Sequence, residues 1–269
     1  MVITDNTVVV VTTCNQDGYM SYGKRMLETF QRYWSRDIIL VFYNEGIQDL
    51  PNAPNIIYRD LPDWFIKWKE KHKNNRRAHG KDPRYNKKDK HYDFRLDCIK
   101  FSHKIAALTD IGLELTQGLL VWIDADTVAH ESIDPQWLWS INQRKDSYLA
   151  WLDRKRPYPE CGFLTFRCSM YPHLRFMNLL KSTYESDQVF SYEETHDSFV
   201  INQLIRKGVL EGWMPKPFNI SGNFETKHHP FVFSILGDRL DHAKGARKKY
   251  GRTLASELKR RRTGKYWKP

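Results

Sequence analysis

The stretch 118–130 constrains the fold more than any other part of the chain. Its first half, Leu119–Ile123, is a continuous apolar run, which is typical of a strand buried on both faces of a parallel sheet. Such sheets present their functional side chains at the carboxyl ends of the strands, and this run ends in Asp124 and Asp126. The sequence therefore predicts an α/β protein with two acidic side chains at the functional edge of its sheet.

Asp124 and Asp126 together predict a site for a divalent cation. Two residues apart on an extended chain, their side chains leave on the same side, and close carboxylates repel each other unless a cation joins them. Carboxylate oxygens favour Mg²⁺ or Mn²⁺, ions that keep open positions for substrate phosphates. The alternative is that Asp124 caps a following turn while Asp126 faces solvent, since Asp-x-Asp alone is a common pattern.

Apolar patterns on both sides of this strand predict alternating strands and helices. Further strands are predicted at 7–13, 38–43, 55–59 and 148–152, and a turn that runs into a strand is predicted at 159–166. Helices are predicted at 22–34, 94–113, 137–141, 171–182 and 199–207. The order of these elements indicates a nucleotide-binding half of Rossmann type. No Gly-x-Gly-x-x-Gly follows the first strand, so we expect neither a nicotinamide nor a flavin cofactor.

Basic residues are concentrated in two stretches of a chain whose net charge is +11. Residues 67–90 hold eleven Lys or Arg against three acids, and residues 244–269 hold eleven against one. Together they carry +18, which leaves the rest of the chain at −7. Basic segments with interleaved aromatic residues indicate a protein that binds a polyanion, whereas a solvated loop and a frayed tail are the alternative.

The domain organisation follows from the same charge pattern. We predict one domain over 1–250, a basic insertion at 64–92 that has little apolar periodicity and is partly mobile, and a basic tail at 251–269. The four cysteines are scattered without a Cys-x-x-Cys pair, so we expect them to be reduced and structural. No run is long enough to span a bilayer and the amino terminus lacks a signal region, so we expect a cytoplasmic protein.

A late element adds further chemistry to the acidic motif. His242, Lys244, Gly245, Arg247 and Lys248 bring an imidazole, a flexible backbone and three cations together within seven residues. Imidazole can join two carboxylates on Mn²⁺, and the cations suit phosphate. A solitary histidine is more often structural, but these neighbours favour a site that binds both a metal and phosphate.

Together these features resemble the GT-A class of glycosyltransferases, which use a nucleotide-sugar donor and a divalent ion. The resemblance is carried by the strand at 8–13, by Lys104 on the helix before the acidic motif, by the motif itself at 123–127, and by the element at 242–245, which is most like that of the glycogenin-related group. It covers roughly residues 7–250. It implies a GT-A (Rossmann-like) fold, that is, a single domain with a mixed, mostly parallel sheet flanked by helices.

The resemblance also implies roles for individual residues. Asp124, Asp126 and His242 would hold Mn²⁺ or Mg²⁺. The nucleotide-sugar donor, for which we expect a UDP-sugar, would contact Thr12, Thr13, Arg95, Lys104, Asp124, Lys244, Gly245, Arg247 and Lys248. The tripeptides at 161–163 and 196–198 occupy the places where this fold usually binds sugar and acceptor. Asp197 is the candidate general base for an inverting reaction, and Glu160 is the second candidate. A structural alternative is that Asp197 or Ser198 caps the helix that follows.

Three hypotheses for the acceptor follow from these assignments. The first is a hydroxymethylated base in phage-type DNA, for which the two basic stretches would provide the binding surface, in the cytoplasm of the host. The second is a glycan, a lipid-linked sugar or a protein, with the basic stretches touching an anionic surface. The third is a nucleic-acid-binding protein without catalysis, in which the carboxylates are structural.

Overall fold

A computed structural model of the protein describes residues 4–81, 92–142, 146–154, 158–221, 230–254, 258 and 264–268. Its strands are β1 (Val8–Asn15), β2 (Ile38–Glu45), β3 (Ile56–Asp60), β4 (Leu119–Ile123), β5 (Thr127–Ala129), β6 (Leu149–Leu152), β7 (Glu160–Arg167), β8 (Phe218–Asn219) and β9 (Leu240–His242). Its α-helices are α1 (Gln16–Gly18), α2 (Lys24–Tyr33), α3 (Asp63–His72), α4 (Cys98–Glu114), α5 (Pro135–Ile141), α6 (Pro172–Glu185), α7 (Asp197–Leu210) and α8 (Pro230–Phe233). The predicted alternation of strands and helices is confirmed.

Seven of the strands form one mixed, mostly parallel sheet in the order β3-β2-β1-β4-β7-β6-β8. The first four in this order run parallel to one another, β7 is antiparallel to both of its neighbours, and β8 is parallel to β6. β5 and β9 pair separately as a short antiparallel ribbon beyond the carboxyl end of β4. The predicted fold class, an α/β protein with helices flanking such a sheet, is confirmed.

Each face of the sheet carries its own apolar core. Along β1, Val9 and Val11 face a core that includes Ile105 of α4, whereas Val8 and Val10 face a core that includes Phe30 of α2. Side chains of a strand alternate between its two faces, so a strand covered on both sides must be apolar at every position. This requirement explains the unbroken valine run and the all-apolar β4.

Capping side chains explain two of the helix starts that differ from the predictions. The predicted helix over 94–113 is a 3₁₀ turn (Phe94–Leu96) followed by α4, because the Asp97 side chain accepts a hydrogen bond from the backbone of Lys100 and begins the helix there. The cap of α7 is His196, whose ring accepts from the backbone N–H of Phe199. The prediction that Asp197 or Ser198 is this cap is wrong.

Part of the predicted insertion at 64–92 packs against the body of the protein, although its sequence shows little apolar periodicity. α3 and the following 3₁₀ turn (Arg76–His79) bury Phe65, Trp68 and Ala78 in the larger core. Lysines between these apolar residues point to solvent, and they interrupt the apolar spacing from which the buried face of the helix would have been predicted. Residues 82–91, which hold part of the predicted basic surface, lie outside the described residues.

Several described residues of the basic tail also contact the body of the protein. Leu258 and Trp267 are buried together with Val232 of α8. Residues 255–257, 259–263 and 269 lie outside the described residues, and the proposed boundaries of the domain, insertion and tail stay predictions. No helix within the described ranges is both long and apolar enough to cross a bilayer.

Candidate functional site

A cleft of about 1280 Å³ opens at the carboxyl edge of the parallel strands. β1, β2 and β4 all end there, as expected for ligand sites of open α/β sheets. Its lining includes the polar residues Thr13, Asn15, Asn44, Glu45, Lys104, Asp124, Asp126, Arg154, Glu160, Asp197, His242, Lys244 and Lys248, and the aromatic residues Tyr22, Phe94, Phe101, Trp122 and Tyr158. Most of the candidate site residues therefore share a single cavity.

Asp124, Asp126 and His242 converge at the centre of this cleft. His242 Nε2 lies 2.9 Å from Asp126 Oδ1 and 3.6 Å from Asp124 Oδ2. One possible ligand atom from each of the three residues lies within 4.8 Å of the other two. His242 is fully buried, and the Asp126 side chain is 7% exposed, whereas 27% of the Asp124 side chain is exposed. Asp126 and His242 are thus buried at the bottom of the cleft, and Asp124 is partly exposed to it.

The local backbone explains how residues so far apart in sequence meet. Asp124 and Asp126 lie in a turn between β4 and β5, closed by a hydrogen bond from the Thr127 N–H to the Asp124 carbonyl. They are therefore not on an extended strand as predicted, although their carboxylates do converge. In the ribbon, Thr127 of β5 is paired with His242 of β9, which brings the imidazole to the end of this turn.

The imidazole of His242 packs against the backbone of Gly162 in β7. A Cβ atom at this position would lie 2.7 Å from Cε1 and 3.0 Å from Nδ1 of the imidazole, and 3.4 Å from Oδ2 of Asp124. The Gly162 carbonyl also accepts the backbone N–H of Asp124. Glycine here allows the backbone of β7 to approach the trio closely, so any larger side chain would displace the imidazole.

The trio has the chemistry and spacing of a divalent-cation site. Two carboxylates and one imidazole supply hard oxygen donors and one nitrogen donor, a set that suits Mn²⁺. Two negatively charged groups in a largely buried place also need positive charge nearby. The residues present therefore fit the ion that the sequence predicted.

Lys248 meets part of this need for positive charge. Its Nζ lies 3.1 Å from Asp126 Oδ2, and 4.1 Å from the centre of the Tyr22 ring. Burial alone would raise the pKa of Asp126, but His242 and Lys248 outweigh that effect and hold the pKa below its ordinary value. Asp126 is therefore ionised and able to act as a ligand throughout the physiological pH range.

Lys104 of α4 lies between the carboxylates of Asp124 and Asp197. Its Nζ is 2.8 Å from Asp124 Oδ1 and 2.5 Å from Asp197 Oδ2, and it donates to the Cys161 carbonyl at 2.9 Å. Burial opposes its charge, but Asp124 and Asp197 outweigh burial and raise the pKa of Lys104. Burial likewise raises the pKa of Asp197, and Lys104 and His196 more than reverse this. The ammonium thus positions Asp124 relative to α7.

Glu160, at the start of β7, holds two further cations at the cleft wall. Lys244 Nζ donates to both of its carboxylate oxygens, at 2.8 and 2.7 Å, and Arg154 pairs with the same group. Burial and the nearby Arg154 lower the pKa of Lys244. The Lys244 ammonium therefore lies where a bound phosphate would compete with Glu160 for its charge.

The candidate donor-binding residues divide into those that line the cleft and those that do not. Thr13 and Gly245 line it together with the lysines already described, and Thr13 donates to Glu45 at 2.6 Å. Thr12, Arg95 and Arg247 are not among the lining residues. Strand alternation turns Thr12 into the core, and Arg95 pairs with Asp93 and Glu194.

Several residues of the cleft were not predicted from the sequence, among them Trp122, His103, Glu45 and Arg154. Trp122 donates its Nε1–H to Asp124 at 2.8 Å, and its position two residues before Asp124 on a strand was an available signal. His103 lies 2.6 Å from Glu45, an arrangement that positions the carboxylate beside Thr13. Arg154 carried no recognisable pattern, and it joins the site only through tertiary contacts.

Comparison with known proteins locates this fold among glycosyltransferases. No protein-family model matches the sequence, and no curated protein does. Among solved structures, the WbbM bifunctional glycosyltransferase matches with a TM-score of 0.51 and 11% identity over 91% of this chain and 47% of its own. Mouse xyloside xylosyltransferase 1 matches with a TM-score of 0.47 and 10% identity, over 80% of this chain and 86% of its own. An active-site mutant of LgtC matches with a TM-score of 0.48 and 12% identity, over 88% of this chain and 87% of its own.

Topology and comparison agree on the class of fold. The chain has the GT-A fold, a mixed and mostly parallel sheet flanked by helices in a single domain, with an Asp-x-Asp motif at the edge of the sheet. The structural neighbours named above are glycosyltransferases. This chain spans about half of the WbbM chain, so the activity of that whole protein does not transfer to it directly.

Proposed function

We propose that this protein is a glycosyltransferase that moves a sugar from a nucleotide-sugar donor to an acceptor hydroxyl, with a divalent cation held by Asp124, Asp126 and His242. The observation that carries the proposal is the convergence of these three ligands in a cleft large enough for a nucleotide sugar, on a GT-A fold. Ligand pockets of about 300–1,000 Å³ are usual, so a cleft of about 1280 Å³ has room for both substrates.

The leaving group in this reaction is a nucleoside diphosphate, and its stabilisation is the central task of the site. A bound Mn²⁺ or Mg²⁺ would offset the negative charge that develops as the bond between the sugar and the phosphate breaks. Lys248 keeps a raised pKa beside Asp126 and supplies a permanent cation at the same place. Lys244 would turn from Glu160 to the diphosphate, and Gly245 lets the backbone approach it.

The nucleoside would lie at the end of the cleft formed by β1 and β2. Thr13 and Glu45 form a hydrogen-bonded pair there, and carboxylate and hydroxyl oxygens suit the hydroxyls of a ribose. Thr12 and Arg95, which lie off the cleft wall, would have to act through Thr13 or through movement of the turn before α4. Thr13 is therefore the stronger of the candidate nucleoside contacts.

Two carboxylates are available for proton transfer on the acceptor side. Asp197 is the proposed general base if the anomeric configuration inverts, with Glu160 as the second candidate. Both are ion-paired, Asp197 with Lys104 and Glu160 with Lys244 and Arg154. Donor binding would draw Lys244 away from Glu160, whereas Lys104 stays buried beside Asp197. The product anomer, determined by proton NMR, shows whether the configuration inverts, and the turnover rates of Asp197→Asn and Glu160→Gln, each compared with wild type, show which carboxylate acts.

The acceptor would enter past aromatic side chains. Phe94, Phe101 and Tyr158 line this part of the cleft, and half of Phe94 is exposed. A flat apolar ring face suits a nucleobase or a sugar ring. A hydroxymethylated base in DNA is supported only by the basic stretch 67–90, of which 67–81 is described, and a glycan or lipid-linked sugar is the second candidate.

The test is turnover of a panel of nucleotide-sugar donors, beginning with UDP-sugars and GDP-sugars, in the presence of Mn²⁺. Reactions are run with and without DNA that contains hydroxymethylpyrimidines, and wild type is compared with Asp126→Asn. The exposed Asp49→Asn is the matched control. We expect Asp126→Asn to lower the rate at least about 1000-fold, because it removes a metal ligand worth several kcal/mol.

The outcomes separate the hypotheses. Metal-dependent turnover that rises with modified DNA supports the nucleic-acid acceptor. Turnover that is indifferent to DNA moves the acceptor to a glycan, a lipid-linked sugar or a protein. An absence of turnover with every donor, together with DNA binding that survives Asp126→Asn, contradicts the enzyme and leaves the nucleic-acid-binding protein.

A further inference from the structure

We infer that the C-terminal segment is a positioning element of the metal centre, which acts through Asp241 to fix the neighbouring His242. We call its described residues 251–254, 258 and 264–268 the clasp. The inference rests on the proposed function, because it assumes that His242 is a metal ligand. It assigns the basic tail a role inside the molecule, in place of the polyanion-binding arm that its charge predicts.

Asp241 is the residue through which the clasp attaches to β9. Its side chain is fully buried and accepts three hydrogen bonds from the clasp. The backbone N–H of Thr253 donates at 2.8 Å, the Thr253 hydroxyl at 2.7 Å, and the Tyr266 hydroxyl at 2.9 Å. A buried carboxylate is tolerated only when its oxygens are satisfied, so β9 and the clasp hold each other in place.

Aromatic packing strengthens the same attachment. The Tyr266 ring stacks on His130 with centroids 4.1 Å apart and planes 7° apart, and Trp267 meets the same imidazole edge-on. Trp267 is buried beside Leu258 and Val232. Arg252 donates to the carbonyls of Tyr266 and Lys268, so the first and last described parts of the clasp are hydrogen-bonded to each other. The clasp is therefore a packed structure with defined side-chain partners.

The ribbon that carries His242 needs such support. β5 and β9 pair over three residues each, and an isolated two-stranded ribbon of this size is marginal in water. Asp241 lies one residue before His242 on β9, with its side chain on the face opposite the imidazole. The clasp thus holds one face of β9, and Asp126 and Gly162 contact the imidazole on the other. Loosening the clasp would free the strand to shift, and the imidazole with it.

The test measures the Mn²⁺ affinity of the whole 269-residue chain by electron paramagnetic resonance, with no donor or acceptor present. The double variant Tyr266→Phe/Thr253→Val removes two of the three donors but keeps the ring stack on His130, so we expect it to fold. Partners that orient metal ligands typically contribute 10–100-fold to metal affinity, and we expect about 10-fold weaker binding. The exposed Tyr250→Phe is the matched control and should bind as wild type does.

A second readout separates positioning from a general loss of stability. Electron spin-echo spectra of bound Mn²⁺ report a nitrogen ligand, and we expect the His242 nitrogen modulation to weaken in the double variant when the ion is saturating. Equal affinity and unchanged modulation in wild type and the double variant would overturn the inference. Asp126→Asn serves as the reference: if it also binds Mn²⁺ normally, the proposed metal centre itself is wrong, and the inference falls with it.

Discussion

The two basic stretches of the chain look alike in sequence, yet they attach to the body through different kinds of carboxylate. α3 in the first stretch is held by Asp187, which accepts from Trp68 Nε1 at 2.9 Å and lies 2.5 Å from Lys71 and 2.7 Å from His72. The second stretch is held by Asp241, whose three donors are neutral. Each anchor is a single acid that gathers several donors from one basic segment.

The difference lies in where each anchor sits relative to the cleft. The Asp187 side chain is 31% exposed, occupies a left-handed turn with φ of 64°, and is not part of the cleft lining. Asp241 is fully buried and adjacent in sequence to His242. Two stretches of similar charge are therefore anchored at different places relative to the proposed metal centre. We expect the first attachment to matter for stability alone and the second for the metal centre as well.

The largest effect should come from Trp68→Ala in the first stretch. Trp68 is buried between Phe65 and Phe190, and truncation of a buried aromatic side chain costs about 4 kcal/mol. We expect this loss in urea unfolding, while the Mn²⁺ affinity of the folded protein stays as in wild type. The exposed Ile66→Ala is the control within the same helix. A weaker Mn²⁺ affinity in Trp68→Ala would break the contrast between the two stretches.

A somewhat smaller stability effect, with a metal effect added, is expected for Asp241→Ala. The change leaves three donors, two of them buried, without their acceptor, which costs roughly 3 kcal/mol because each unsatisfied group loses its hydration as well. Urea unfolding and Mn²⁺ titration are measured on the same preparation. Loss of stability with normal Mn²⁺ affinity would make Asp241 equivalent to Asp187 and would remove the distinction.

Asp187 should give a smaller, pH-dependent effect. Burial raises the pKa of Asp187, but hydrogen bonds from Lys71, His72 and Trp68 outweigh it and lower the pKa below its ordinary value. A lowered pKa means that the stabilisation is fully present above the unfolded value, about 3.9, and is lost as pH falls through the folded value. Asp187→Asn, which tolerates the positive φ, should lose about 1 kcal/mol at pH 7.

Urea unfolding at pH 7 and at pH 3 checks this sign. The difference in unfolding free energy between wild type and Asp187→Asn should shrink as the pH falls. The exposed Asp49→Asn provides the comparison for a carboxylate without such donors. A difference that grows at low pH would contradict the assignment of Asp187 as an ionised anchor.

The smallest effect concerns the polyanion surface of the first stretch. If DNA is the acceptor, exposed Lys67 can contact a phosphate, whereas Lys71 is already paired with Asp187. Lys67→Gln should then lower the slope of log affinity against log salt by about 0.9, the value for one phosphate contact. Lys71→Gln should change it less. Equal slopes in wild type and both variants would place DNA binding outside α3.

Prediction from the sequence succeeded where one segment alone carries the information. The strands β1, β2 and β4 follow from continuous apolar runs. The chemical type and neighbours of Asp124, Asp126 and His242 indicated that they would come together, which they do, and their role as metal ligands stays a prediction. Prediction from the sequence failed where distant segments compete for one group. Asp197 is engaged by Lys104, so His196 caps α7 in its place. The buried face of α3 was missed because its lysines obscure the apolar spacing.

The sequence by itself determined the GT-A class of fold and the acidic edge of the sheet, since hydrophobic periodicity and the residues that follow a strand are local properties. Only the tertiary structure decided that Lys104 lies between Asp124 and Asp197, that Gly162 supports the imidazole of His242, and that the two basic stretches are anchored by Asp187 and Asp241. The physical reason is that the partners of a buried charge are chosen by packing. Each such group takes the donors that the fold brings within hydrogen-bond distance, and sequence separation places no limit on which donors those are.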